Sequence, residues 1–347
     1  RLPDGEHAEL YQMDWLDNRV ISRVGMPGNP GLRSVIFDAT NGRAIAGAVG
    51  ARPDNAVSIM TSEAGDIDSI GGSLGTQSIG EVRLVNFGGT DRLLAALTYD
   101  NALAVIDPES ESSQSIDVGV APFAVAHHDG FAYVSNWGGT EASLDMESAP
   151  TGLAVDADQV AIDPQGVALP GTVSVIELAQ NRLIDTIEVG RHPTAMALDE
   201  NRGRLYVANT NDDSISVIDT QTRQVALTFA LQPFQSIVAG IAPTALSLSP
   251  DGQTLYIACG GINAVAVYDL QSNRISGLIP TGWYPTSLDI NEAGTRLAVG
   301  ALLGEGSAWR DSPDQRYVHA YRGSVQVIDV PDSAQLASYT AAVAENN

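Results

Sequence analysis

The sequence contains no lysine, so all 18 of its basic side chains are arginine, and it contains a single cysteine. One cysteine cannot form an intrachain disulfide, and Cys259 lies in the apolar stretch YIAC, which predicts a buried, inert thiol. No run of apolar residues reaches the length of a membrane-spanning helix. The sequence therefore predicts a fold without disulfides and without a membrane span.

Basic charge is also scarce, because 42 acidic residues stand against 18 arginines and give a formal net charge of −24. Such a surface repels phosphate backbones and anionic lipids, which disfavours nucleic acid as a partner. Acidity with arginine in place of lysine fits a salty environment. The same composition fits a GC-rich genome combined with an acidic, solubilising surface equally well. The sequence leaves both interpretations open.

Catalytic motifs are absent from the sequence, which has no G-x-S-x-G, Walker loop, H-E-x-x-H or C-x-x-C. His127 and His128 end a predicted strand, so their rings point to opposite sides and do not form a paired metal site. Asp212 and Asp213 are expected to accept hydrogen bonds from local backbone N–H groups in a turn. The sequence thus predicts no catalytic residue and no cofactor.

One acidic stretch leaves a metal alternative open, because its carboxylates could gather an oxygen-liganded Ca²⁺. The spacing of an EF-hand loop is missing, so a solvated acidic loop is the preferred interpretation. The candidate calcium ligands are Asp145, Glu147, Asp156, Asp158 and Asp163.

What the sequence does contain is a repeat, clearest over 191–231. TAMAL, RLYVAN, SISVID and QVALTFAL are strand-like segments separated by polar turns, as in an antiparallel meander. The unit recurs from 242 and again from 284, and four strands in about forty residues make one propeller blade. The sequence therefore predicts an all-β fold, a β-propeller of four-stranded repeats. The recurring positions are Pro193, Pro243, Pro285, Asp219, Asp269 and Asp329.

The propeller is expected to span residues 1–335, with six pairs of inner strands. Residues 10–25 resemble 173–190, the second half of a repeat, and are expected to close the ring through the N-terminal strands. This half-repeat favours seven blades over six. Residues 336–347 are expected to form a C-terminal linker or a short helix, with Asp332 or Ser333 as its cap.

Two interruptions, at 138–170 and 304–323, each fall between the second and third strands of a unit, and the first is interpreted as a long loop. Such loops share a face with the connections between blades, here GRHP and GWYP. One aromatic-rich face is therefore predicted to bind a protein domain or a small-molecule ligand. The alternative is that these rings only pack the inserts onto the body. The residues of the predicted face are Trp137, His192, Trp283, Tyr284, Trp309, Arg310, Tyr317, His319 and Tyr321.

The repeats resemble the YVTN-type β-propeller family through LYVAN at 205–209, SVID at 216–219, SPDG at 249–252 and LYIA at 255–258. YVSNWGG, GLIPTGWYPTS and GSVQVIDVPDSAQLASYT further resemble the YncE-like propeller that precedes an alkaline-phosphatase-superfamily domain in bifunctional bacterial proteins. The resemblance implies a periplasmic or extracellular protein. The metal ligands and nucleophile of that family lie in the phosphatase domain, to which none of these residues corresponds.

Three functions follow as expectations. The first is a non-catalytic binding or scaffolding module. The second is the propeller half of a larger phosphoesterase, whose activity would lie in a downstream domain. The third is a metal-dependent hydrolase that acts at the ring top through the acidic insert, although a fold alone cannot argue for activity.

Overall fold

The computed structural model describes residues 8–14, 19–26, 31–38, 43–49, 57–61, 67–70, 79–110, 112–151, 157–236, 239–304 and 323–347. The chain divides into two compact units, Arg1–Glu188 and Val189–Asn347. We call them unit 1 and unit 2. Both are built from antiparallel sheets whose strands follow the chain order, so the all-β prediction is confirmed.

Among its described residues, unit 1 contains one hairpin, three four-stranded sheets and one small two-stranded sheet. The hairpin comprises β1 (Ala8–Asp14) and β2 (Arg19–Met26). Sheet 1 comprises β3 (Gly31–Asp38), β4 (Arg43–Val49), β5 (Val57–Thr61) and β6 (Ile67–Ile70). Sheet 2 comprises β7 (Ile79–Phe87), β8 (Thr90–Leu97), β9 (Ala102–Ile106) and β10 (Ser113–Asp117). Sheet 3 comprises β11 (Val120–His128), β12 (Phe131–Gly139), β15 (Thr172–Glu177) and β16 (Arg182–Glu188), and the small sheet comprises β13 (Ser148–Pro150) and β14 (Gln159–Ala161).

Unit 2 contains two four-stranded sheets and one sheet that has three strands among the described residues. Sheet 4 comprises β17 (Pro193–Asp199), β18 (Arg204–Asn209), β19 (Ser214–Asp219) and β20 (Gln224–Ala230). Sheet 5 comprises β21 (Pro243–Leu248), β22 (Thr254–Cys259), β23 (Ala264–Asp269) and β24 (Arg274–Pro280). Sheet 6 comprises β25 (Trp283–Ile290), β26 (Arg296–Gly304) and β27 (Ser324–Asp329), and helix α1 (Ser333–Asn346) follows it.

Within each unit, the first strands of consecutive sheets lie side by side. In unit 1, Val82 of β7 donates its backbone N–H to Ser34 Oγ of β3 at 3.0 Å. Glu81 accepts the N–H of Val125 of β11 at 3.0 Å, and Arg83 donates to the Val125 carbonyl at 2.8 Å. These side chains satisfy backbone groups at the free edge of a first strand, which would otherwise be left unpaired.

The first strands of unit 2 are joined in the same way by threonine. Thr210, whose hydroxyl lies 2.8 Å from that of Thr194 in β17, donates its Oγ1 to the Pro243 carbonyl at 2.7 Å, and Thr244 Oγ1 of β21 donates to the Pro285 carbonyl at 2.6 Å. Pro243 opens β21 and Pro285 lies at a register shift near the start of β25, so a missing N–H costs no regular ladder bond at either position. The recurrence of proline in the sequence is thereby explained.

The recurring aspartates end the third strands and stabilise the turns that follow. Asp219 accepts the N–H groups of Gln221 and Thr222 at 3.0 and 2.9 Å, and Asp269 does the same with the two residues at 271 and 272. These hydrogen bonds lower the pKa of both carboxyls, because they favour the ionised form. The turns therefore retain these hydrogen bonds at neutral pH and lose them on acidification.

The β1–β2 hairpin has the same register as the β15–β16, β19–β20 and β23–β24 hairpins, which join third and fourth strands. In β1–β2, four residues (15–18) separate the paired Asp14 and Arg19, and one residue of β2 is skipped at position 21. The β19–β20 hairpin has the loop 220–223 and skips position 226 in the same place. This matches the resemblance of 10–25 to 173–190 in the sequence. Closure of a ring through this hairpin stays a prediction.

Helix α1 takes the place in the sequence that a fourth strand occupies in the other repeats. Asp332 caps it by accepting the N–H of Gln335 at 2.8 Å, which decides between the predicted linker and the predicted helix. The helix covers the edge of β24, where Thr340 Oγ1 accepts the N–H of Leu278 at 2.9 Å. Gly277 leaves room for this contact, since a Cβ there would lie 2.5 Å from Leu336.

The cores lie between neighbouring sheets of each unit. In unit 1, fully buried Leu93 and Ile106 pack against Ile79, and in unit 2 the side chains of Ile215 and Ile257 pack together with Cys259. Burial raises the pKa of the Cys259 thiol to about 12, so the thiol is protonated and inert, as predicted. Among the described residues, no helix combines the length and the apolar character that crossing a bilayer requires.

The charge imbalance leads to a first prediction, that added NaCl raises the melting temperature. With 42 acidic and 18 basic residues, repulsion between carboxylates destabilises the folded state, and salt screens it. Differential scanning calorimetry between low and physiological ionic strength measures the effect. A melting temperature that stays constant or falls would mean that the carboxylates are already neutralised by pairing.

Candidate binding face

In unit 2, the connections between sheets and the turns after the second strands lie at the same end. The N–H of Thr210, just after β18, donates to the His192 carbonyl in GRHP at 3.1 Å. The N–H of Gly260, just after β22, donates to the Ala242 carbonyl at 2.8 Å. We call this the connection end of unit 2. It carries the segments GRHP (190–193), GIAP (240–243) and GWYP (282–285).

The short turns lie at the opposite end and contact one another. Arg202, in the turn after β17, pairs with the buried carboxylate of Asp199 at 2.6 Å and donates to the Gly252 carbonyl at 2.8 Å. A Cβ on Gly294, in the turn after β25, would lie 3.4 Å from Pro250. Within unit 2, the two kinds of turn therefore lie at opposite ends, as strand order requires.

A repeated hydrogen bond fixes the backbone of the connections. Asn101, Asp213 and Asn263 each precede a third strand in the left-handed conformation, with φ of 49°, 48° and 51°. Their side chains accept the N–H groups of Ala121, Ala242 and Tyr284 at 2.9, 2.8 and 2.9 Å. We call this contact the connection clamp. Asn and Asp suit it, because they tolerate left-handed φ and carry an acceptor.

The interpretation of Asp212 and Asp213 as a local turn pair was wrong. Asp213 accepts from Gly240 and Ala242, which lie 27 and 29 residues further along the chain. Asp212 accepts the Arg191 N–H at 2.7 Å and pairs with its guanidinium at 3.0 Å. Both carboxylates bind backbone N–H groups, but those groups belong to the connections between sheets.

Two predicted site residues, Trp283 and Tyr284, lie at the connection end with 50% and 38% of their surface exposed. The Tyr284 ring packs over Gly260, where a Cβ would lie 3.2 Å from the ring. Leu302, which follows the Pro285–Ala301 pair in β26, is 50% exposed at the same end of the sheet. We call Trp283, Tyr284 and Leu302 the Trp283 patch. It combines exposed apolar area with a backbone fixed by a clamp.

His192 lies at the same end, but GIAP separates its connection from GWYP. The order follows from the contact of β21 with β17, through the hydroxyls of Thr194 and Thr210, and with β25, through the Thr244–Pro285 hydrogen bond, which place β21 between the two strands. Burial lowers the pKa of His192 by disfavouring the imidazolium. His192 is therefore neutral at pH 7, and its partial burial makes it a structural neighbour of the patch rather than an exposed anchor.

Trp137 of unit 1 lies in β12 itself and not in a loop, because this strand continues to Gly139. Its ring stacks on Phe123 with centroids 4.5 Å apart and an interplanar angle of 28°. This packing agrees with the alternative interpretation for Trp137. His127 and His128 end β11, as expected.

The first insert is not a plain loop, which corrects the prediction for 138–170. It lies between β12 and β15, the second and third strands of sheet 3, and contains the β13–β14 sheet. Three-residue strands are too short to show an alternating pattern in sequence. Gly138 makes room for Val160 of β14 against β12.

Two of the candidate calcium ligands of the insert, Asp145 and Asp163, hold turns. Asp145 accepts the Ser143 hydroxyl at 2.6 Å, which lowers the pKa of Asp145. Asp163 accepts the N–H groups of Gln165 and Val167, each at 2.9 Å. In the described part of the chain, no three His, Cys, Asp or Glu side chains are grouped to hold a metal ion. Asp156 lies outside the described residues.

The second insert separates β26 from β27, again the second and third strands of a sheet. Five residues of the predicted face fall in 305–322, outside the described residues: Trp309, Arg310, Tyr317, His319 and Tyr321. Leu302 and the clamp residues were not predicted. An Asn or Asp directly before a third strand is the signal that could have identified the clamps.

Comparison with known proteins does not assign this chain to a family. No protein-family model matches the sequence, and no curated protein matches it.

Proposed function

We propose that this chain is a non-catalytic β-propeller module that binds a protein domain or a small-molecule ligand at the connection end of its sheets. The propeller is supported by six antiparallel meanders in chain order and by first strands that lie side by side within each unit. The resemblance to YVTN-type repeats supports the same architecture.

The observation that carries the binding function is the Trp283 patch. Its aromatic pair is exposed, although the surrounding backbone is held by the Asn263 clamp and by the hydrogen bond to Pro285. Binding energy concentrates in rigid aromatic anchors, since they lose little entropy on binding. The patch therefore provides an anchor point for a ligand with an apolar or aromatic surface.

Replacing Trp283 with alanine is expected to weaken binding by roughly 1–3 kcal/mol, as loss of an aromatic anchor does. The ligand can be found by saturation-transfer NMR with a library of aromatic and saccharide fragments, and affinities then measured by calorimetry. Gln253→Ala, an exposed change beside the SPDG turn at the opposite end, is the matched control. Equal affinities of the Trp283 and Gln253 variants would contradict the proposal.

A further inference from the structure

The insert of unit 1 exposes apolar side chains on a small, well-anchored sheet. Leu144 is fully exposed, at 109% of its reference surface, and Met146 is exposed at 51%. Val167 and Leu169 are exposed at 45% and 38%. Four exposed apolar side chains within one short insert are unusual, since soluble proteins rarely group such residues without a binding role.

Pairing places Val167 and Leu169 on one face of this sheet. The backbone hydrogen bonds pair Asp163 with Val167 and Ala161 with Leu169, so these residues share a face, while Ile162 and its partner at 168 point the other way. Val160 lies on the same side as Ile162 and packs against Gly138 of β12. One face therefore anchors the insert, and the other carries Val167 and Leu169. The Ile162 N–H donates to the Glu147 carbonyl at 2.9 Å, which continues the β13–β14 register and sets Met146, with Leu144 in its turn, opposite Asp163 beside Val167.

The turns that carry the exposed residues are held by hydrogen bonds. Met146 donates its N–H to the Ser143 carbonyl at 3.0 Å, and the Ser143 hydroxyl binds Asp145. Gly166, with φ of 79°, completes the turn that Asp163 holds before Val167. A preorganised surface loses little entropy when it binds a partner.

The charge of the insert decides what kind of partner fits. Residues 140–170 contain no arginine, lysine or histidine. The acidic residues among the described part of this range are Glu141, Asp145, Glu147, Asp158 and Asp163. A second copy of the chain, an anionic bilayer and a nucleic acid would all be repelled by these carboxylates. A cationic partner is attracted to them.

We propose that the insert docks a cationic protein segment with an apolar face, which covers Leu144, Met146, Val167 and Leu169 while its Lys or Arg side chains meet the surrounding carboxylates. The inference rests on the binding function proposed above and specifies a partner class for a surface in unit 1. It does not depend on the Trp283 patch.

The test measures, by calorimetry, binding of an amphipathic leucine–lysine peptide and of a scrambled peptide of the same composition that lacks an apolar face. Leu144→Ser with Met146→Ser leaves the charge unchanged and should weaken binding of the amphipathic peptide by about tenfold or more. The control combines Leu183→Ser with Leu227→Ser, two exposed apolar positions on β16 and β20. It should bind as the unaltered chain does.

Equal binding by the insert variant and the unaltered chain would overturn the proposal, as would equal losses in the insert and control variants. Tight binding of the scrambled peptide would also overturn it, because charge alone would then be sufficient for binding and the apolar face would not be needed. The Trp283→Ala variant should bind the amphipathic peptide normally. If the insert variant binds the peptide as tightly as the unaltered chain, while Trp283→Ala still weakens binding of the fragment ligand, this inference is rejected and the proposed function stands.

Discussion

Replacing Gly261 with alanine is expected to destabilise the protein by about 3 kcal/mol, because the added methyl has no space. A Cβ at this position would overlap the carbonyl oxygen of Gly240, and the Gly261 N–H is already bonded to the Ile241 carbonyl at 3.0 Å. The backbone at Gly261 and the backbone at Gly240 would have to move apart. Urea unfolding monitored by circular dichroism measures the loss.

The neighbouring Gly260 is a matched control. A Cβ at Gly260 would meet only the side chains of Thr244 and Tyr284, each at 3.2 Å, and side chains can shift by a few tenths of an ångström. Gly260→Ala should therefore cost about 1 kcal/mol or less. Equal losses of stability in the two variants would show that the backbone at Gly240 moves away at little cost, and that its close approach does not require glycine at position 261.

The connection clamp is expected to contribute a comparable amount at Asp213. Asp213→Ala removes the acceptor for Gly240 and Ala242, at 2.6 and 2.8 Å, and places alanine at φ of 48°. The combined loss should be about 2–4 kcal/mol, from two unpaired donors and a left-handed alanine. Chemical unfolding gives the stability, and amide hydrogen exchange at Gly240 and Ala242 should become faster.

Asp213→Asn tests the clamp without removing it, because asparagine already performs the same role at Asn101 and Asn263. Asparagine retains the left-handed preference and one acceptor oxygen, so the loss should be at most about half that of alanine. If the two variants unfold at the same urea concentration, the side-chain acceptor contributes nothing to stability.

Most strands could be predicted from the sequence, because alternation and turn residues are local signals. SISVID coincides with β19 (Ser214–Asp219), and the strands predicted within 10–25 coincide with β1 and β2 to within about two residues. The clamps could not be predicted in the same way. Asp213 and Ala242 become neighbours only when sheet 5 packs beside sheet 4. No local sequence pattern predicts a contact between residues 29 positions apart.

The candidate face was predicted in part. Trp283 and Tyr284 were identified because aromatic residues beside Gly and Pro stand out in a connection, and both are exposed. Leu302 was missed because LAVGALLG predicts a uniformly apolar strand, whereas its exposure depends on β26 extending past its last pair with β27, Ala301–Ser324. The order in unit 2 that puts GIAP between His192 and GWYP is likewise a property of packing.

The connection clamp has a consequence for how this scaffold can be altered by evolution or by design. A glycine, a proline and one clamp side chain fix the backbone at GVAP (119–122), GIAP and GWYP, and the second middle residue is left-handed in each, with φ of 54°, 52° and 58°. The middle pair is Val-Ala, Ile-Ala or Trp-Tyr on what is otherwise the same frame. Val120 and Ile241 are buried, whereas Trp283 and Tyr284 are exposed. Backbone shape and surface chemistry are thus encoded by different residues at GWYP, so a library randomised only at its middle pair would change what this connection recognises while preserving the path of the chain.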